Sequence, residues 1–449
     1  MKYAMMIMEF SSRIISYFSL FFCLWTLVKS PPGVWGGAIW LPKLWAGAWA
    51  PFLAMLGFIG ANLGWISKDY FTVLAGLLAA ALGIRHTIIV TRPLNHFDLT
   101  FGDNWEDHIP SDLRARLSTK RYRLIQPVPS VVPGQRNVDL GKSGKTDESL
   151  LCDIWEPPRG VPHSGLALIY LHGGLWQALD KDFLTQPLFR RLAGQGHVIM
   201  DVAYSLAPGA DLNRMLGDIK QAIVWMKSHA GELGIDPGGI VLMGVSGGAH
   251  LALLATYAPG HPAFQPVNLS VDMSVHAVVS MFGIADLSTF FQEYARSNPR
   301  QPEFSSQITD DLLPRLFNRT WLDKLMTRTR AFPTYRYGNL PGGALLLVNL
   351  LGGTLNEIPE VYRQASPIVY AGPQCPPTLI IAAEDDFVVD VSQGRRLHTA
   401  LSEAGAASIY IEFPNSVHGF DQYIGVSRRV APAAQAATYD IERFLALMV

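Results

Sequence analysis

The sequence predicts an α/β fold, a mostly parallel central sheet with helices on both faces, preceded by an all-α transmembrane region. Three observations carry that expectation. Long uncharged runs fill the first ninety residues, and after Leu150 short apolar runs alternate with amphipathic stretches. Between an apolar run and a helix-like stretch lies Gly244-Val245-Ser246-Gly247-Gly248. A serine in that setting can occupy a tight strand-to-helix turn, because flanking residues without a β-carbon tolerate the crowding.

The uncharged runs come first in the chain. Ile14 to Val28 has fifteen residues, Leu44 to Ser67 twenty-four and Tyr70 to Ile84 fifteen. Crossing the hydrocarbon core takes roughly 20 apolar residues as a helix, so the middle run spans directly. The first reaches that length by extending toward Met5 past Arg13, and the third by extending to Val90 with Arg85 snorkelling to the interface. Trp25, Trp35, Trp40, Trp45, Trp49 and Trp65 gather in or near the proposed ends, as interfacial aromatic belts do. Three spans put Lys2, Arg13 and Lys68 on one side and Lys29, Lys43, Arg85 and Arg92 on the other, a division that does not fix which way the rest of the chain faces. Residues 1–90 are therefore expected to form a multi-pass membrane region.

Residues 91–149 read as a connector, broken by Pro93, Pro110, Pro127, Pro129 and Pro133. Residues 150–449 carry the alternating pattern. Strands are expected at Leu151 to Trp155, Leu166 to Leu171, His197 to Val202, Ile240 to Gly244, His276 to Phe282, Thr378 to Ala383 and Ser408 to Phe413. Helices are expected at Phe183 to Ala193, Arg214 to His229, Ala249 to Tyr257, Ser392 to Ala404 and Ala433 to Leu447. About eighty residues, 284–364, exceed what a connection needs and are expected to form a lid-like insertion.

Overall charge excludes one class of function. The 36 Lys and Arg nearly balance 37 Asp and Glu, so no net field recruits nucleic acid. Cys23, Cys152 and Cys375 have no metal-ligand spacing, and only a single Cys152 to Cys375 bridge is left open. Neither a metal nor an organic cofactor is expected.

In a parallel sheet chemistry gathers at the carboxyl ends of the strands. Ser246 follows one strand and is the candidate nucleophile. His172-Gly173-Gly174-Leu175-Trp176 follows another, and the amides of Gly173, Gly174 and Gly247 are the expected oxyanion donors, each such donor contributing about 3 kcal/mol to the transition state. Trp176 is expected to bind substrate. A serine hydroxyl needs a base, and among the 12 histidines His418, in the loop after the last strand, is best placed. His172 is expected to order its loop, and His250 and His276 to be structural. The acid should follow the preceding strand. Asp386 is chosen there, with Asp385 and then Asp390 as alternatives.

The order Ser, Asp, His belongs to the α/β hydrolases. Residues 150–449 resemble the hormone-sensitive-lipase-like and bacterial feruloyl-esterase-like carboxylesterases in His172-Gly-Gly-x-Trp176, Tyr204-Ser-Leu-Ala-Pro208, Gly244-x-Ser-x-Gly248, Ala365-Ser366-Pro367, the acidic turn 384–386 and His418-Gly419-Phe420. Many relatives have Asp before the nucleophile and Ala after it, where this chain has Val245 and Gly247. The resemblance implies a serine esterase, here acting on an apolar, lipid-like ester beside a bilayer. The His-Gly-Gly-x-Trp motif is also similar to that of kynurenine formamidases, which implies an amide alternative. A catalytically silent hydrolase fold serving as a membrane scaffold is the alternative from another class.

Overall fold

The computed structural model describes residues 2–31, 34–93, 96–142, 148–261, 272–297, 342–421 and 428–449. Three long helices lead the chain: α1 (Lys2–Trp25), α2 (Val34–Ile66) and α3 (Tyr70–Thr91). All three are long and apolar enough to cross a membrane. Their polarity is inverted relative to a soluble bundle. Small residues meet inside, among them Ser16, Ala50, Ala54, Ala75 and Ala79, while Phe10, Phe21, Phe58, Phe71 and Leu74 point outward. A Cβ on Gly57 would lie 2.7 Å from the Gly76 carbonyl oxygen, and one on Gly83 would lie 2.5 Å from that of Ala50. Such close backbone approach is how helices associate where the surroundings are as apolar as their side chains. Arg13 on α1 pairs with Asp69 in the turn before α3 at 2.7 Å, which allows the helix to continue through a charge.

Behind the bundle lies an eight-stranded sheet in the order β1-β2-β4-β3-β5-β6-β7-β8. The strands are β1 (Gln135–Lys142), β2 (Ser149–Trp155), β3 (Gly165–Leu171), β4 (Val198–Ala203), β5 (Ile235–Val245), β6 (Ala277–Met281), β7 (Thr378–Ala383) and β8 (Ser408–Phe413). β1 and β2 run antiparallel to their neighbours, and the pairs from β4 through β8 are parallel. The lead-in thus supplies a strand where a connector is expected, and the sheet begins at Gln135 rather than near residue 150. β1 is an edge strand with one buried residue, Leu140, so it lacks the alternation that marks a half-buried strand.

Both faces of the sheet are covered. Ile169, Met200, Leu242 and Val278 pack with the helices Leu212–Ser228, Gly247–Tyr257 and Ser392–Glu403. Their sequence neighbours Tyr170, Ile199, Val241, Met243 and Val279 pack with Gln186–Ala193 and Pro432–Leu447 on the opposite face. That second core also takes in Leu44 and Ala48 of α2 and Val90 of α3. The ends of these long apolar helices are therefore built into the core of the sheet domain. Of the insertion at 284–364, residues 298–341 lie outside the described residues; its ends form the helices Leu287–Ser297, Gly342–Leu351 and Pro359–Gln364. Cys23, Cys152 and Cys375 are all buried and free, so the Cys152 to Cys375 bridge is not formed.

Candidate active site

β5 ends at Val245, and the helix Gly247–Tyr257 starts two residues later. Ser246 makes the turn at φ 56° and ψ −121°, a backbone region that costs a residue with a β-carbon about 1–3 kcal/mol. The neighbours explain how the turn is held. A Cβ on Gly244 would lie 2.2 Å from the Gly248 carbonyl oxygen, and one on Gly248 would lie 2.3 Å from those of Leu171 and His172. Only glycine fits either position. The Ser246 amide donates to the Met281 carbonyl at 2.8 Å, fixing the turn against β6.

The loop after β3 lies directly on this turn. The position of a Cβ on Gly173 is 3.5 Å from Ser246 Cβ, and that of a Cβ on Gly247 is 3.1 Å from the Trp176 amide nitrogen. Gly174, Leu175 and Trp176 all take positive φ, at 106°, 52° and 63°. The turn closes on itself, with the Gln177 and Ala178 amides donating to the Gly174 carbonyl at 3.1 and 3.0 Å. His172 orders the loop: its Nδ1–H donates to the Gly173 carbonyl at 2.8 Å, and its ring stacks on Tyr204 at 4.3 Å. The Tyr204 hydroxyl donates to the His172 carbonyl at 2.8 Å.

Trp176 departs from its expected place. It is fully buried, and its indole N–H donates to His250 Nδ1 at 3.2 Å. The positive φ of Leu175 and Trp176 turns the ring into the core, where it pins the loop to the helix after Ser246 rather than facing an open cleft. The Nε2–H of His250 donates to the Ala365 carbonyl at 2.8 Å. Burial lowers the His250 pKa to about 4, so the ring is neutral and its tautomer is set by these two bonds. His276 is exposed at the start of β6.

β7 and β8 deliver the candidate acid and base side by side, since Ala383 pairs with Phe413 at their carboxyl ends. The Nδ1–H of His418 donates to Asp386 Oδ2 at 2.7 Å, and the Asp386 side chain is 2% exposed. Asp386 Oδ1 accepts the amides of Val388 and Val389 at 2.8 and 2.9 Å, which orients the carboxylate. The alternatives are engaged elsewhere. Asp385 pairs with Lys43 of α2, and Asp390 accepts the Ser392 amide at 2.9 Å. The His418 ring packs 5.2 Å from that of Phe282, the residue after β6. Ser246, Phe282, Asp386 and His418 thus follow β5, β6, β7 and β8 along one sheet edge. Among the described residues no hydrogen bond joins Ser246 to His418; such bonds are often long before substrate binds.

A cavity of about 780 Å³ opens beside the His-Gly-Gly loop, walled by Gln177, Lys181, Tyr204 and Arg214 among others. Neither Ser246 nor His418 lines it, so geometry rather than volume marks the site. Among the described residues no three of His, Cys, Asp and Glu come together as metal ligands. Two contacts had no signal in the sequence. Trp40 of α2 donates its indole N–H to the His418 carbonyl at 2.9 Å, and Lys43 reaches Asp385 across 342 residues of chain.

Known esterases are similar to this chain. Esterase LipQ of Mycobacterium tuberculosis is 30% identical over 300 residues, covering 66% of this chain and 60% of that protein. Esterase LipC of the same organism is 28% identical over 292 residues, covering 65% and 61%. The chain spans about three fifths of the length of these relatives. A similar solved structure, a thermophilic esterase of Thermogutta terrifontis, has 20% identity and a TM-score of 0.47, with 70% of this chain and 91% of that one covered. The BD-FAE family model matches residues 152–316 and 344–401 of this chain.

Proposed function

We propose that this chain is a membrane-anchored serine hydrolase of apolar, lipid-like carboxylic esters. The observation that carries the reading is the strained Ser246 turn, held by glycines that admit no side chain and set at the sheet edge beside the Asp386–His418 pair. Backbone strain of this kind persists where a function uses it.

Ser246 Oγ attacks the ester carbonyl while His418 Nε2 takes its proton, and Asp386 stabilises the imidazolium through the Nδ1–H bond. The amides of Gly173, Gly174 and Gly247 receive the charge that develops on the carbonyl oxygen. Collapse of the tetrahedral intermediate breaks the ester C–O bond, and His418 gives the leaving alcohol its proton. Water, deprotonated by His418, then resolves the acyl-enzyme to the acid and free Ser246. No step calls on a metal or an organic cofactor.

The inverted polarity of α1 to α3 supports integral membrane insertion. The carboxyl end of α1, the amino end of α2 and the carboxyl end of α3 all lie toward the sheet domain, as the Lys29–Glu384 and Lys43–Asp385 pairs and the place of Val90 in its core indicate. Three spans then put the amino terminus and the hydrolase on opposite sides of the bilayer.

Ser246→Ala tests the nucleophile. The variant should fold with an unchanged melting midpoint and lose all labelling by a fluorophosphonate probe; labelling at the wild-type rate would end the assignment. Matched ester and amide substrates separate esterase from amidase action.

A further inference from the structure

We infer that Trp40 and Lys43 of α2 are positioning residues for the acid and base, so that a membrane helix forms part of the catalytic scaffold; this rests on the triad proposed above. Gly36, Trp40 and Lys43 stand at i, i+4 and i+7, one face of a helix. That face meets the site at each residue in turn. A Cβ on Gly36 would lie 2.7 Å from the Cβ of Phe387, so the α2 backbone touches the residue directly after Asp386. Trp40 sets its ring 6.0 Å from that of Phe387 and donates to the His418 carbonyl at 2.9 Å. Lys43, with its side chain 1% exposed, pairs with Asp385, the residue directly before Asp386, and also donates to the Val28 carbonyl after α1.

The helix therefore grips both neighbours of Asp386 and the peptide of its partner His418. It is not needed to bring the two loops together. The Glu384 amide already donates to Phe413 O at 3.0 Å, the Asp385 amide to Ser416 O at 2.9 Å, and the Asn415 amide to Glu384 Oε2 at 2.9 Å. What α2 adds is a third element that fixes the joined loops on the residues flanking Asp386 and on the His418 carbonyl. A hydrogen-bonded base must hold its angle to the nucleophile, and misplacement by about 1 Å costs roughly 100-fold in rate. Lys43 is also the last charge before the uncharged run Leu44 to Ser67, so the contact lies where α2 enters the apolar layer.

The test uses the full chain in lipid nanodiscs, with active sites titrated by a fluorophosphonate and turnover measured on a p-nitrophenyl acyl ester. Trp40→Phe keeps a ring against Phe387 and removes the N–H donor. Its kcat per titrated site should fall about ten-fold with KM changed less than about two-fold, and the acid limb of the kcat/KM pH profile should move. Lys43→Met combined with Asp385→Asn removes both buried charges together and should show the same split. Wild-type kcat and pH profile in both variants, including the case where only the melting midpoint drops, would overturn the inference. Ser246→Ala run alongside separates the two claims. If it still labels, the triad reading falls; if it does not label while Trp40→Phe turns over normally, only the positioning role falls.

Discussion

Gly248→Ala isolates the geometry of the nucleophile turn without touching a group that reacts. The added Cβ would sit 2.3 Å from the carbonyl oxygens of both Leu171 and His172, where real contacts stay beyond 3.0 Å. The turn and the loop after β3 must therefore part by about 0.7 Å, and neither can yield like a flexible side chain, because both obstacles are backbone. Overpacking of this kind costs about 1–3 kcal/mol, which lowers the melting midpoint of a domain of about 300 residues by about 2–5 °C. Activity should suffer more. The displaced segment, His172 to Gly174, contains the proposed oxyanion amides, and a shift approaching 1 Å predicts a fall in kcat/KM of up to about 100-fold. Thermal unfolding in nanodiscs and the rate of fluorophosphonate labelling read the two effects separately. A Gly248→Ala chain with wild-type values for both would refute the packing argument and the placement of the oxyanion loop with it.

Three further outcomes are expected. Asp386→Asn, which keeps the shape and removes the charge that fixes the His418 tautomer, should lower kcat by about 10³ to 10⁴ while leaving the fold intact, measured by ester turnover and by circular dichroism. Acid should destabilise the sheet domain through buried neutral histidines. Burial lowers the pKa of His197 to about 3 and that of His250 to about 4, against an ordinary value of 6.5, so the unfolded chain binds more protons between these values. Stability is then fully present above pH 6.5 and falls as the pH drops toward 4; the melting midpoint of His197→Asn should fall less steeply over that window than that of the wild type. Finally, the chain should remain in the membrane pellet after an alkaline carbonate wash, and tags at Met1 and Val449 in sealed vesicles should show opposite protease sensitivity, which same-side sensitivity would contradict.

Much of this was legible in the sequence because the informative elements are local. β7 and β8 fall at the expected residues since each is a short apolar run bounded by turns, and the strand-end rule then leads to Ser246, Asp386 and His418. β1 was not legible. Its residues are mostly exposed at a sheet edge, so a charged lead-in and an edge strand look alike. The orientation of Trp176 depends on two non-glycine residues with positive φ, for which the sequence carries no signal. Nor does spacing reveal Trp40 against His418, whose contact closes 378 residues of chain. The expectation of an interfacial aromatic belt already accounts for a tryptophan near a helix end, so nothing in the sequence prompts a search for its contact with His418.

If α2 positions the proposed acid and base from within a bilayer, embedding and turnover become two ends of one equilibrium. On the proposed reading, the contacts that hold Asp386 and His418 in register are made with a helix that lies among lipids, so a change in the tilt or depth of that helix would shift the population of aligned pairs. Linkage is reciprocal. A ligand that captures the aligned pair, such as a phosphonate on Ser246, must in the same measure favour the helix position that aligns it. The thickness of the surrounding bilayer then becomes a variable of the enzyme's kinetics.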